Sequence, residues 1–307
     1  MRTTQVRGLV GGEARDLIKV SPRLVAYNLL YLAFAWVVAI GAIAVFWVHP
    51  AWWTFATAFV VVSSRQQALL NCEHEAVHRK FLPSRRWNDL VGVYLCAAAV
   101  GSPFGAARAR HLSHHRLVGA PDDPDRDLYS GDSKRTRRGL VHYFLNGLLG
   151  GYAGMVLMGP RAPREAARAG SPRRDLLSLV AVQALIAVVL TLFFDWWVYL
   201  TLWLAPLASL TALTHLIRSF VEHAIADSEE PVHGNRLITI KSTWLERALV
   251  APYFMNFHAE HHLLPSVPAP RLPRLQERLA ERDDTPPVLV RRSYGYALRQ
   301  YSRQLSR

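Results

Sequence analysis

The sequence predicts an all-α integral membrane protein with four transmembrane helices in two hairpins. Three observations support this fold class. The 307-residue chain is 51% hydrophobic, it contains four long apolar runs, and its basic residues avoid the turns between those runs. A mean hydropathy of +0.09 is high for a soluble domain of this length.

The four apolar runs have the length that a membrane-crossing helix requires. Among their residues only Arg65 is charged. A helix of about 20 apolar residues crosses the hydrocarbon layer, and four such runs are too many for the core of a small soluble protein. Turns at His49 and Pro50 and at Asp195 join the runs into two hairpins. The predicted spans cover residues 27–48, 51–70, 176–194 and 196–217.

The charge distribution predicts the orientation. The formal net charge is +13, yet neither hairpin turn contains Lys or Arg. Cytoplasmic loops of membrane proteins retain an excess of Lys and Arg. We therefore expect both termini and a helical cap of residues 71–175 and 218–307 to be cytoplasmic, with residues 1–307 forming one domain. This asymmetry explains the net charge without a nucleic-acid partner, and the arginine-rich and alanine-rich composition favours a bacterial inner membrane.

Three shorter features complete the chain. Apolar runs at 90–104 and 140–158 predict re-entrant or interfacial helices. The segment after Pro265 predicts a proline-rich turn and then an amphipathic helix. Cys72 and Cys96 are the only cysteines and lack the spacing of a metal site, so the sequence predicts no disulfide framework and no iron–sulfur cluster.

Histidine is concentrated in three short motifs. Positions i, i+3 and i+4 share one face of a helix, so each motif is expected to direct its imidazoles to one place. Chance would give about 0.02 HxxHH patterns in such a chain, and two occur. Imidazole binds iron, zinc and copper, and eight imidazoles exceed the needs of one ion, which predicts a pair of metals on the cytoplasmic side. The motifs are HEAVH (His74, His78), HLSHH (His111, His114, His115) and HAEHH (His258, His261, His262).

Further polar residues accompany these motifs. His223, in RSFVEH, follows the fourth span and is a ninth candidate ligand, whereas His215 is expected to pack or to support a ligand. The isolated His49, His142 and His233 are expected to have no role. Metal-bound imidazoles usually donate their other N–H to a carboxylate or a carbonyl. The candidate carboxylates are Asp122, Asp123, Asp125, Glu222 and Glu260.

HEAVH, HLSHH followed by DDPDRD, RSFVEH and NFHAEHHLLPSVP together resemble the membrane fatty acid desaturases and their related hydroxylases and ketolases. The resemblance implies two hairpins and a cytoplasmic cap that holds two iron ions on the nine histidines. It also implies O2 as co-substrate and oxidation of an unactivated C–H bond. We expect desaturation of a fatty acyl chain, with hydroxylation or ketolation of a lipid or carotenoid as the alternative. An external electron donor, a ferredoxin or a similar carrier, is expected because the chain has no cysteine cluster.

Three other interpretations of the motifs fit the sequence less well. HEAVH also matches the HExxH pattern of zinc proteases, but that function leaves six clustered histidines unexplained. Soluble carboxylate-bridged diiron proteins need paired ExxH motifs, and only Glu75 with His78 fits one. A metal transporter would place its polar residues within the spans, whereas these motifs lie outside them.

Overall fold

A computed structural model of the chain describes residues 15–151, 172–224, 237–281 and 288–305, and these residues are mostly helical. The helices up to residue 151 are α1 (Arg15–Ile18), α2 (Pro22–Val48), α3 (Trp52–Val77), α4 (Arg85–Val91), α5 (Phe104–Leu117), α6 (Arg126–Tyr129) and α7 (Arg137–Leu148). The later helices are α8 (Pro172–Phe193), α9 (Trp196–Val198), α10 (Ala212–His223), α11 (Trp244–Leu249), α12 (His258–Leu263), α13 (Leu272–Ala280) and α14 (Tyr294–Gln304).

Short segments of other helix types continue several of these helices. π-Helical turns cover Gly92–Ala97, Tyr199–Leu204 and Leu207–Thr211, so α9 runs into α10 as one long helical segment. 3-10 turns cover Ala98–Val100, Asp132–Lys134 and Ala269–Arg271. π-Helical turns are rare and occur often near functional sites.

Three helical segments of the described chain are long and apolar enough to cross a membrane, namely Asp16–Val48, Pro172–Phe193 and Trp196–His223. They correspond to the first, third and fourth predicted spans. A bent pair, Arg85–Val100 with Phe104–Leu117, raises the number to four if it forms one span, and its two arms meet at 96°. This bend falls on the predicted run 90–104, where Gly101 has a left-handed φ of +70° that few other residues tolerate.

The second predicted span, residues 51–70, is not among the segments that are long and apolar enough to cross a membrane. Helix α3 has the length, but its second half is lined with buried polar residues and does not match the apolar character of the three segments above. These side chains satisfy polar groups inside the helical bundle. Gln66 donates to the carbonyl of Trp203 in a π-helical turn (2.8 Å) and accepts from the hydroxyl of Thr211 (2.9 Å). Buried hydrogen bonds of this kind join helices in a membrane.

The turns within the two predicted hairpins, at His49 and Pro50 and at Asp195, form two loops at the same end of the molecule. The rings of Phe46 and Trp197 are 6.1 Å apart, and those of Trp47 and Phe194 are 5.8 Å apart. Because α2 and α3 pack against each other, the last turns of α3 lie at the other end of the bundle. The histidine motifs therefore collect at the end opposite to the two loops.

Two features lie around that opposite end. An unpredicted pair of parallel strands, β1 (Ile238–Ile240) and β2 (Leu289–Arg291), has Thr239 opposite Val290. Strands of three residues are too short for an alternating pattern to reveal. Helix α13 is the predicted amphipathic tail helix. Its buried face consists of Leu272, Leu275 and Leu279.

Candidate metal centre

Four helices deliver the nine predicted histidines to one place. The last turn of α3 carries His74, His78 follows as the C-cap of that helix, and the end of α10 carries His223. Helix α5 carries the HLSHH motif, and the short helix α12 carries HAEHH. All three motifs are helical, as the spacing of their histidines predicts.

The ring nitrogens form two groups, and within each group the candidate ligand atoms all lie within 4.8 Å of one another. The five-histidine group consists of His74, His78, His111, His115 and His261. The four-histidine group consists of His114, His223, His258 and His262. The groups are adjacent, because the rings of His115 and His262 stack at 4.1 Å. The structure thus brings all nine histidines together as two separate sets.

Each motif was expected to direct all its imidazoles to one metal, but the structure divides the histidines of two motifs between the two groups. HLSHH and HAEHH are both split between the groups. A step of four residues along an α-helix advances about 400° and a step of three about 300°, so the two directions differ by about 100°. His111 and His115, four apart, therefore join the five-histidine group, and His114 faces the other group. His258 and His262 behave in the same way, while His261 faces the five-histidine group.

The spacing of the nitrogens matches a metal's coordination sphere. Within the five-histidine group, Nε2 of His111 lies 2.9 Å from that of His78 and 2.8 Å from that of His115. Within the other group, Nε2 of His223 lies 2.8 Å from that of His258 and 3.1 Å from that of His114. Two nitrogens at right angles, each about 2.1 Å from an ion, are about 3.0 Å apart.

The chemistry of the donors also fits a metal. Nε2 of His74 and Nε2 of His262 are buried and have no hydrogen-bond partner among the described residues. Burial lowers the pKa of His262 and of His261 well below the usual range, and neighbouring imidazoles lower both further. These rings are therefore neutral at physiological pH, and a neutral imidazole has the free lone pair that a metal binds.

A carboxylate supports one member of the four-histidine group from the loop after α5. Asp123 Oδ1 lies 2.9 Å from Nδ1 of His114, and the hydroxyl of Tyr129 donates to its other oxygen. Burial alone would raise the pKa of Asp123, but these hydrogen bonds lower it to about 2. Asp123 is therefore a carboxylate at every physiological pH, able to accept from the imidazole N–H.

A second carboxylate supports His258 in the same group. Glu222 Oε2 lies 3.3 Å from Nδ1 of His258. Arg218 pairs with Glu222 (Nε to Oε1, 3.0 Å), and the hydroxyl of Tyr294 donates to Oε1 (2.6 Å). Arg218 also donates to Asn71 of α3 (2.7 Å). Glu222 was a sequence candidate. Arg218 was missed although its i,i+4 spacing from Glu222 was a usable signal, whereas nothing in the sequence places Tyr294 or Tyr129 beside a carboxylate.

The remaining candidate carboxylates lie in other surroundings. Asp122 is exposed. Asp125 pairs with Arg110, and its Oδ2 is 3.8 Å from Nδ1 of His114, too far for a hydrogen bond. Glu260 accepts from the hydroxyl of Thr239 and so ties α12 to β1.

The Glu75 carboxylate of HEAVH accepts from the backbone N–H of Ala269 (3.2 Å). This hydrogen bond holds the Glu75 side chain against the 3-10 turn at 269–271. A zinc protease would use this glutamate as the general base beside its metal.

The isolated histidines lie outside the two groups. His49 and His142 are exposed, and His215 is half-buried on α10. His233 and the second part of the run 140–158 lie outside the described residues, whereas α7 covers the first part of that run.

Comparisons with known proteins agree with this geometry. Residues 50–294 match the family model described as fatty acid desaturase. The chain is 21% identical to a dihydrorhizobitoxine desaturase of Bradyrhizobium elkanii over 71% of this chain and 65% of that protein, just under two thirds of its length. It is 26% identical to a beta-carotene ketolase of Paracoccus sp. (strain N81106 / MBIC 01143) over 74% of this chain and 84% of that protein. The chain is 25% identical to a beta-carotene ketolase of Paracoccus sp. (strain PC1) over 66% of this chain and 72% of that protein.

Proposed function

The chain belongs to the fatty acid desaturase family, and we propose that it uses O2 and two iron ions to oxidise an unactivated C–H bond of a lipid-soluble substrate. One observation carries this proposal: nine imidazoles converge as two adjacent groups of five and four. We assign the nine histidines as the ligands of the two ions. A protease would need one zinc and three ligands, which leaves most of this arrangement without a purpose.

Bound iron supplies the oxidising chemistry, because side chains alone cannot break an unactivated C–H bond. The protein contributes the positions and the protonation states of the ligands. Burial and the neighbouring imidazoles keep His261 and His262 neutral. Asp123 accepts from Nδ1 of His114 and so directs the other nitrogen of that ring inward, and the Glu222 carboxylate lies 3.3 Å from Nδ1 of His258 on the outer side of the group.

Two outcomes of such oxidation are candidates. In desaturation, two hydrogens of neighbouring carbons, two external electrons, two protons and one O2 become an alkene and two waters. In ketolation, two successive oxygen insertions convert a methylene into a gem-diol, and each consumes one O2, two external electrons and two protons and releases one water. The gem-diol then loses water to give the carbonyl. Desaturation of a fatty acyl chain is the first candidate, since the family is described by that reaction. Carotenoid ketolation is the second, favoured by the two ketolases, because the match covers 84% and 72% of their own length against 65% of the desaturase.

We further propose that the metal centre and both termini face the cytoplasm of a bacterial inner membrane. The two loops at the opposite end of the bundle carry no Lys or Arg, and the positive-inside rule places such loops outside. The membrane character itself follows from the three apolar segments and from the family.

Metal analysis tests the proposal. The protein is purified in detergent, and iron and zinc are measured per chain in the wild type and in His114→Ala, His261→Ala and His142→Ala variants. We expect about two irons per chain in the wild type and less iron in His114→Ala and His261→Ala. His142→Ala should keep the iron content of the wild type, because it changes an exposed histidine outside the groups. One zinc per chain, kept in His114→Ala and His261→Ala but lost in His74→Ala, would establish the protease instead.

Product analysis then separates the two reactions. Cells that express the protein are supplied with β-carotene or with their own lipids only, and pigments and acyl chains are extracted. New acyl double bonds that are absent from the His261→Ala strain would establish desaturation. A keto-carotenoid under the same control would establish ketolation.

A further inference from the structure

We propose that the outer face of α14 is the docking surface for a small acidic one-electron carrier of the ferredoxin class. The inference rests on the proposed function, because oxidation of one C–H bond by O2 consumes two electrons that the substrate does not supply. With two cysteines lacking metal spacing, the described chain offers no iron–sulfur cluster of its own. The electrons therefore arrive through a protein surface close to the metals.

Helix α14 has an apolar inner face. Tyr294, Ala297, Leu298 and Tyr301 pack into the core formed with α10, where the rings of Tyr301 and Phe220 are 4.8 Å apart. This packing fixes the helix against the segment that carries His223. Since these positions repeat every three or four residues, the opposite side of the helix necessarily faces outward.

The outer side of α14 is basic and exposed. Tyr296, Arg299 and Arg303 are exposed and follow one another at steps of three and four residues, which places them on one side of the helix, and the exposed Arg292 lies two residues before its start. We call these four residues the arginine face. It carries three positive charges around one exposed tyrosine, and tyrosine and arginine are both enriched at protein interfaces.

A second helix extends the positive charge. The side chain of Arg137, at the start of α7, donates to the carbonyl of Ser302 (2.9 Å), and Arg137 and Arg138 are both exposed. The carboxylate at the edge, Glu246, accepts from the backbone N–H groups of Gly295 (3.1 Å) and Thr243 (2.9 Å). The surface as a whole is therefore complementary to an acidic partner, and such complementarity guides and accelerates association.

The inner side of the same helix leads directly to the metal centre. Tyr294, fully buried, donates to Glu222, and Glu222 lies 3.3 Å from Nδ1 of His258. Two polar contacts thus join the helix that carries the arginine face to a member of the four-histidine group. This connection distinguishes α14 as a site of electron entry from a basic patch that only holds the protein on anionic lipid.

The test measures electron transfer rather than turnover. Iron-loaded enzyme in nanodiscs of neutral lipid is oxidised and mixed without O2 with a reduced plant-type [2Fe–2S] ferredoxin, and its reduction is followed by stopped-flow absorbance. The variants are Arg299→Glu/Arg303→Glu and, as a matched control, Arg85→Glu/Arg86→Glu at the exposed start of α4. Dithionite, which needs no docking surface, reduces parallel samples.

We expect the Arg299→Glu/Arg303→Glu variant to lose about tenfold in second-order rate constant at low salt and to show a weaker salt dependence. Reduction by dithionite stays unchanged, and the control pair changes the ferredoxin rate by less than about twofold. An equal effect of both pairs, or no effect of either, would overturn the docking site. So would an effect that appears only in nanodiscs containing anionic lipid, which would assign the face to the membrane.

A second variant tests the connection. Tyr294→Phe is expected to lower the reduction rate at saturating ferredoxin several-fold, while the half-saturating concentration and the iron content stay the same. Loss of iron instead would mean that Tyr294 only supports the fold. Protein that contains no iron and cannot be reduced by dithionite contradicts the proposed function itself, whereas iron that is reduced equally well in every variant contradicts the docking site alone.

Discussion

The two histidine groups are neighbours, but different parts of the protein hold them. In the four-histidine group, Asp123 and Glu222 contact the rings of His114 and His258 directly. Among the described residues, no such carboxylate contact accompanies the five-histidine group. There the support is on the backbone: Asn88 and Arg108 donate to the carbonyl of Ala76, between His74 and His78, at 2.8 and 2.9 Å.

This difference indicates that ions bound by the two groups would not be equivalent. A carboxylate that accepts the outer N–H of an imidazole fixes its orientation and makes its inner nitrogen a stronger donor. The four-histidine group therefore combines fewer candidate ligands with stronger support, and an ion bound there would keep more positions for other ligands. The five-histidine group offers one ligand more, with positions set by packing. Each of the following predictions addresses one side of this contrast.

The largest effect is expected from two neighbouring residues that serve different groups. His261→Ala removes a nitrogen from the five-histidine group and His262→Ala removes one from the four-histidine group. Each change is expected to lower activity by about a thousandfold or more, because the reaction needs both ions. Mössbauer spectra of ⁵⁷Fe-loaded protein should lose a different iron component in each variant. The same component lost in both would show that the groups form one site.

The carboxylates should affect one ion alone. Asp123→Asn and Glu222→Gln replace the carboxylates beside His114 and His258 by neutral amides, and losses of this kind lower metal affinity by about 10- to 100-fold. Chelator titration of the iron-loaded variants should therefore release one iron early and the second as in the wild type. Glu260→Gln is the matched control, since Glu260 is buried beside Thr239 and ties α12 to β1. Early release of both irons in Asp123→Asn would contradict the contrast.

Packing around Ala76 should determine the position of the five-histidine group. A Cβ atom added at Gly92 would lie 2.8 Å from Cβ of Ala76 and 2.8 Å from the Phe104 ring, closer than real side chains approach. Gly92→Ala is expected to cost about 1–3 kcal/mol of stability through overpacking. Thermal unfolding in detergent measures the loss. Gly41→Ala is the control, because nothing lies within 4 Å of its added Cβ. Iron should leave the five-histidine group first, and an unchanged chelator profile would show that packing does not position it.

Much of this arrangement follows from the sequence. Apolar length predicted three of the membrane-crossing segments, and the spacing of the histidines predicted that all three motifs are helical. Neither signal reveals which imidazoles share an ion, because the split of HLSHH depends on how α5 is rotated against α3 and α12. That rotation is a property of packing, which a single sequence does not encode in any local pattern.

The polar residues of α3 and α10 illustrate the second limit. Gln66 interrupts an apolar run, and its partner, the Trp203 carbonyl, lies 137 residues away on a π-helical turn. The i,i+4 spacing of Arg218 and Glu222 was visible in the sequence, but the hydrogen bond from Arg218 to Asn71 spans 147 residues and was not. Hydrogen bonds between distant segments are invisible to periodicity, so the supporting residues emerged only from the structure.

The smallest predicted effect concerns Tyr129, whose hydroxyl is linked to Nδ1 of His114 through the Asp123 carboxylate. The hydroxyl of Tyr129 donates to Asp123 and accepts from the N–H of Gly119 (3.0 Å). Tyr129→Phe removes one hydrogen bond to the carboxylate, a loss of about 1 kcal/mol, and should weaken iron binding in the four-histidine group about fivefold. Asp122→Asn, which changes an exposed neighbour of the same carboxylate, should leave the affinity unchanged. If Tyr129→Phe instead weakened the five-histidine ion, support from the carboxylates would be shared between the two groups.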